Sequence, residues 1–174
     1  MVNNNDRCID ELVLGFWRLL DWQITPQQCL SFLENAIEMG VSHTDHADIY
    51  GEYGCEAEFG KALKLKPSIR DEIKIITKCG IKPAFASLGL QGKANHYDSS
   101  AAHIIASAQQ SLKNFSTDRL DVLLIHRPDY LMNADEMAQA FNTLKANGDV
   151  IDFGVSNFTP SQLSLLQSRL DFEL

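Results

Sequence analysis

Long apolar runs are missing from this 174-residue chain, and none approaches the roughly 20 residues a membrane-spanning helix requires. The N-terminus, Met1-Val2-Asn3-Asn4-Asn5-Asp6, lacks the basic start and apolar core of a secretory signal, so the chain reads as cytoplasmic with no membrane partner. Basic residues are scarce. Fifteen Lys and Arg stand against twenty-three Asp and Glu, and a net charge of −8 repels phosphate backbones, which argues against nucleic acid as a partner. The four cysteines, Cys8, Cys29, Cys55 and Cys79, form no CxxC pair and no Cys/His zinc spacing, so reduced thiols and no metal are expected. No GxGxxG follows any apolar run, which weighs against an open dinucleotide-binding sheet. With 45% hydrophobic residues, the chain can build a globular core without metals or disulfides.

The pattern that is present is an alternation of short apolar runs with amphipathic stretches. Leu12 to Trp17 reads as a first strand, and Thr25-Pro26 as a cap and first-turn proline opening a helix to Met39, closed by Gly40. Cys29, Phe32, Leu33, Ala36 and Ile37 recur on one face of that helix. A strand over Val41 to Ala47, a helix over Cys55 to Leu63 and a buried strand over Ile73 to Lys78 follow. Ile81 to Asp98 reads as a long loop, followed by a helix from Ser99 and the strand Leu120 to Ile125. A helix over Asp135 to Ala146, a strand over Val150 to Val155 and a helix from Thr159-Pro160 to Arg169 complete the series. Five strand–helix repeats predict a parallel α/β fold, either an open sheet or a β/α barrel. A complete eight-fold barrel needs about 250 residues, so residues 1–174 are expected to form a single partial barrel domain holding units one to five, with repeats six to eight absent.

The strand ends carry polar groups: Asp45 with Tyr50 close behind, then Lys78, then His126, then Ser156-Asn157. In a barrel all these ends open on one face, so residues distant in sequence converge. A phenol is a weak acid, but an adjacent ammonium favours the phenolate, and Asp45 would keep Lys78 charged. His126 then orients a substrate oxygen and Tyr50 delivers a proton to it. Such a set contains no reductant, so a hydride cofactor is implied.

Asp45-His46-Ala47-Asp48-Ile49-Tyr50-Gly51, Ile76-Thr77-Lys78-Cys79-Gly80, Asp121-Val122-Leu123-Leu124-Ile125-His126-Arg127-Pro128 and Phe153-Gly154-Val155-Ser156-Asn157-Phe158 resemble, in order and spacing, four signature segments of the aldo-keto reductases. Gly15-Phe16-Trp17-Arg18 is similar to the family's first-strand segment, and the chain is most like a bacterial oxidoreductase branch. The resemblance implies a (β/α)8 barrel of aldo-keto reductase type and NADPH-dependent reduction of aldehydes and ketones. It makes Tyr50 the proton donor, Lys78 and Asp45 its tuners and His126 the carbonyl orienter. Ser156 and Asn157 hold the nicotinamide carboxamide, and Gly15 and Trp17 join the cofactor-contacting set. Two departures stand out: Asp149 and Ile151 replace residues commonly basic in the family, and three further repeats, which carry most cofactor contacts in relatives, do not occur here.

Other interpretations stay open. His43 and His46 flank Asp45, but positions three apart on a strand face opposite sides, so a shared metal is disfavoured; His46 falls near the pocket, and His43 is packed or solvated. His103 reads as a surface or core histidine and Cys79 as a buried inert thiol. Trp17 either lines a substrate mouth or fills core. Lys78 as a Schiff-base nucleophile is the rival to Lys78 as a tuner, and its pairing with Asp45 argues against that role. A non-enzymatic binding module or an inactive fragment of the same fold is the alternative function. Open sheet edges at Leu12 to Trp17 and Val150 to Val155 predict self-association.

Overall fold

A computed structural model describes residues 12–85, 89 and 94–174. Five parallel strands form one sheet in the spatial order β1 (Val13–Gly15), β2 (His43–Asp45), β3 (Lys74–Cys79), β6 (Leu120–Ile125), β7 (Val150–Val155). Between β3 and β6, two-residue strands β4 (Ile81–Lys82) and β5 (His96–Tyr97) pair antiparallel. The segment read as a featureless loop thus has a hairpin at its base; residues 86–88 and 90–93 of it lie outside the described residues. Helices α1 (Pro26–Glu38), α2 (Cys55–Leu65), α3 (Ala101–Phe115), α4 (Ala134–Asn147) and α5 (Pro160–Gln167) link the strands, each packing on the next. This is an α/β arrangement of five consecutive units of a β/α barrel.

Local chemistry sets the helix ends. Thr25 and Thr159 each cap a helix, and Gln28 and Gln162 return the bond to the cap backbone, so both prolines enter pre-organised first turns. Ser100 and Asn133 cap α3 and α4, and Gly148 ends α4 in the left-handed region. Two strands are shorter than the apolar pattern suggests: β1 and β2 each span three residues, although single backbone bonds from His46 and Asp48 to β3 carry the alignment beyond Asp45. Phe32, expected on the buried face of α1, is half exposed, while Leu30 takes a buried position instead.

The core lies between sheet and helices, built from Phe16, Phe59, Phe115, Ile75, Leu123, Ile125 and Phe141 among others. Polar residues enter it in two networks. Arg70 donates to Thr117 Oγ1, to the carbonyls of Ile73 and Arg119, and to Asp121, whose carboxylate also accepts the Ile75 amide. Glu56, on α2, accepts from Thr77 on β3 and from Ser111 and Asn114 on α3. At Gly60 the two helices approach so closely that a Cβ would sit 1.9 Å from the Asn114 carbonyl oxygen.

Candidate active site

Parallel pairing puts all five C-terminal strand ends on one side, and backbone bonds past the strand ends extend that alignment. Phe16 N donates to Asp45 O at 2.9 Å, His46 N to Ile76 O at 2.8 Å, Asp48 N to Lys78 O at 3.0 Å, His126 N to Cys79 O at 2.8 Å and Ser156 N to Ile125 O at 2.9 Å. Along β3, Thr77 faces the helices, where it meets Glu56, so the alternation of side chains turns Lys78 to the opposite face.

There Lys78 Nζ donates to Asp45 Oδ1 at 2.6 Å, to the His46 carbonyl at 2.7 Å and to Tyr50 Oη at 3.3 Å. The lysine is 8% exposed, so its three donors are matched by three acceptors, and Asp45 supplies the opposing charge that burial of an ammonium requires. The Tyr50 ring lies 5.1 Å from the same Nζ and meets the His126 ring edge-to-face, centroids 6.0 Å apart. Asp45, Tyr50, Lys78 and His126, from three strand ends and a loop, are thus gathered at one place. Trp17 is 67% exposed and its ring stands 6.3 Å from Tyr50, so it lies beside the cluster and not in the core. Gly15 pairs in register with Asp45. Ser156 and Asn157 follow β7, and Asn157 Nδ2 donates to the His126 carbonyl at 3.0 Å and to Ser156 Oγ at 2.9 Å, with the Asn157 backbone at φ +63°.

Electrostatics separates the two histidines from solution behaviour. Burial, then the positive charges of Lys78 and Arg127, lower the His126 pKa to about 4 against a weaker opposing effect of Asp45, so its ring is neutral at pH 7. His46 does not border the site with its ring. It stacks on Phe16 at 5.0 Å and meets Phe59 and Phe115 edge-on, fully buried, with neither ring nitrogen hydrogen-bonded; burial and then Lys78 lower its pKa to about 3. Its contribution is a backbone carbonyl. Side-chain alternation sends the imidazole to the helix side, which residue type alone does not reveal. The His103 pKa is lowered chiefly by burial. Cys79 is buried, and its thiol pKa is raised well above the ordinary value by burial and nearby carboxyls. Cys29, Cys55 and Cys79 are free thiols, and Cys8 lies outside the described residues. Among the described residues no group of three His, Cys, Asp or Glu could hold a metal, and no helix is long and apolar enough to cross a membrane.

A strand-end cluster of Asp, Tyr, Lys and His on a β/α barrel defines the class, and comparison with known proteins agrees. Residues 11–173 match the Aldo/keto reductase family, and the chain belongs to that family. It is 54% identical over 162 residues to the oxidoreductase YdhF of Escherichia coli K12, covering 93% of this chain and 53% of that protein. It is 43% identical over 167 residues to a 6-dehydroglucose reductase of Agrobacterium fabrum C58, covering 95% and 56% respectively. The solved holo form of the aldo-keto reductase AKR11C1 from Bacillus halodurans superposes with a TM-score of 0.74 at 26% identity, over 93% of this chain and 51% of that one. The chain spans about half the length of the relatives it matches.

Two residues of the region escaped sequence reasoning. Asp48 and Glu56 are buried carboxyls, and a motif that places Asp48 in an exposed-looking loop gives no signal of its burial.

Proposed function

We propose that the chain belongs to an NADPH-dependent reductase that converts aldehydes and ketones to alcohols, with Tyr50 as the proton donor. One observation carries this reading: Lys78 Nζ bridges Asp45 Oδ1 and Tyr50 Oη while a neutral His126 packs against the same phenol. Asp45 holds the ammonium in place, and the ammonium stabilises the phenolate that remains once the proton has left Tyr50 Oη. His126 Nδ1 is buried without a partner. An orphaned acceptor costs less than an orphaned donor, which leaves the ring proton on Nε2 to orient a carbonyl oxygen. The donors and acceptors of Ser156 and Asn157 fit a carboxamide. Asn157 spends its N–H groups on His126 and Ser156, which keeps the amide oxygen as an acceptor and ties this contact to the histidine loop. Gly15 and Trp17 complete the cofactor-contacting set, and NADPH, when bound, supplies the hydride.

The name of the 43% identical relative makes 6-dehydroglucose a first substrate to try beside simple aldehydes. Residues 1–174 act in this reading as one partial barrel domain in the cytoplasm, with β1 and β7, the outermost strands among the described residues, offering edges for self-association. Tyr50→Phe, assayed by NADPH oxidation, is expected to lower kcat by about 10² to 10⁴ with cofactor affinity unchanged. Undiminished turnover overturns the assignment, and borohydride trapping of Lys78 with a carbonyl compound replaces it with Schiff-base chemistry.

A further inference from the structure

Asp48 stands two residues before Tyr50, and the proton delivery described above does not use it. Its side chain is 7% exposed, and Oδ1 has no hydrogen-bond partner. The groups around it are Glu56 from α2, Ser107 from α3, Cys79 from β3 and Tyr53 from its own loop, with donors of Ser107 and of the Ile49 backbone reaching the carboxyl. None of these is a cation. Burial, then the charge of Glu56, push the Asp48 pKa up to about 8, so at neutral pH the group is a carboxylic acid.

The backbone makes this residue a junction. Asp48 N donates to the Lys78 carbonyl, Tyr50 N donates to the Ala47 carbonyl, and Cys55 N, opening α2, donates to the Tyr50 carbonyl. Directly after Tyr50 come Gly51, Glu52 and Tyr53, all at φ between +54° and +71°. Glu52 and Tyr53 carry side chains in the left-handed region, and such strain persists only where the surroundings hold it.

We propose that Asp48 is a positioning residue: its uncharged carboxyl, docked in the layer between α2, α3 and β3, holds the turn that carries Tyr50 over Lys78, and ionisation of that carboxyl releases the turn. The inference rests on the proton-delivery reading, since it assigns a regulation to that same site. An anion at Asp48 would face Glu56 with no counter-charge among the described residues that shift its pKa, and outward movement is the way to water. That movement pulls on the Lys78 carbonyl at one end and on Tyr50 at the other.

Hydrogen exchange of the Tyr50 amide, corrected for its intrinsic rate and followed from pH 6 to 10, tests this in the unaltered chain, Asp48→Asn and Asp48→Ala. Protection in the unaltered chain is expected to fall by about tenfold or more between pH 7 and 9. Asp48→Asn, which keeps the shape and cannot ionise, holds protection flat; Asp48→Ala lowers it at every pH. Infrared difference spectra at pH 6.5 should show a carboxylic-acid carbonyl stretch that Asp48→Asn removes. A flat profile in the unaltered chain, an Asp48→Asn profile as steep as the original, or no acid stretch assigned to Asp48 overturns the proposal. If Asp48→Ala does not fold, the comparison with Asp48→Asn decides. Neither measurement uses substrate or cofactor, so full turnover by Tyr50→Phe would overturn the proposed function while leaving these results to stand or fall separately.

Discussion

Glu56 is the buried carboxyl that ties three elements together, and replacing it by alanine measures how far the site depends on that tie. Its Oε1 accepts from Thr77 Oγ1 at 2.7 Å and from Ser111 Oγ at 2.9 Å, and its Oε2 accepts from Asn114 Nδ2 at 3.0 Å. Thr77 and Ser111 are buried, so Glu56→Ala strands two hydroxyl donors away from water, at about 1–3 kcal/mol each. Asn114 is partly exposed and recovers a water partner. One gain offsets these losses: the carboxyl sits among neutral partners, and burial raises its pKa, so removing it relieves a desolvation cost. The net expectation is a loss of about 3 kcal/mol, which for a chain of this size lowers Tm by roughly 6–12 °C. Glu56→Gln keeps an acceptor for the two hydroxyls and lets the Asn114 amide turn its oxygen toward the new N–H2, so it should stay within about 1 kcal/mol of the original. Urea unfolding of the three proteins at pH 7 reads both numbers. Equal destabilisation by Ala and Gln would refute the account, because the loss would then come from charge and not from stranded hydroxyls.

His46→Phe is expected to stabilise the fold by about 1–3 kcal/mol at pH 7, since two unpartnered ring nitrogens leave an aromatic cage while the carbonyl that holds Lys78 stays. The advantage should widen as pH falls from about 6.5 towards 3: the unfolded histidine takes a proton that the folded one, with its pKa lowered to about 3, refuses, so the unaltered protein loses with acid a contribution that the variant does not carry. A pH-independent gap in urea midpoints would sink that argument. Asn157→Ala is expected to weaken nicotinamide cofactor binding by about tenfold or more in a fluorescence titration, through the lost amide contact and the freed His126 loop; unchanged affinity would remove Asn157 from the site.

The open sheet is part of the same physics. Ile151 on β7 and Val13 on β1 remain exposed, each on an outermost strand of the sheet among the described residues. Trp22 and Phe32 are likewise half exposed next to Phe16, although their rings contact one another.

Much of the molecule is written in local sequence chemistry. Thr25-Pro26 and Thr159-Pro160 each state a helix start, Gly148 states an end, and Leu120 to Ile125 and Val150 to Val155 read as strands to the residue, because caps and continuous apolar runs act over a few neighbours. The order of polar residues at the strand ends was also legible, since a parallel barrel converts that order into a shared face. What the chain could not declare is which face each side chain takes once a strand ends, and who stands opposite. His46 and Asp48 lie within one motif, yet one ring enters an aromatic cage and the other carboxyl enters a layer with Glu56, Ser107 and Cys79. Those neighbours come from α2, α3 and β3, up to 59 positions away, so burial of Asp48 and the neutral state of His126 are set by tertiary packing. Desolvation depends on everything that surrounds a group, and no window of sequence contains it.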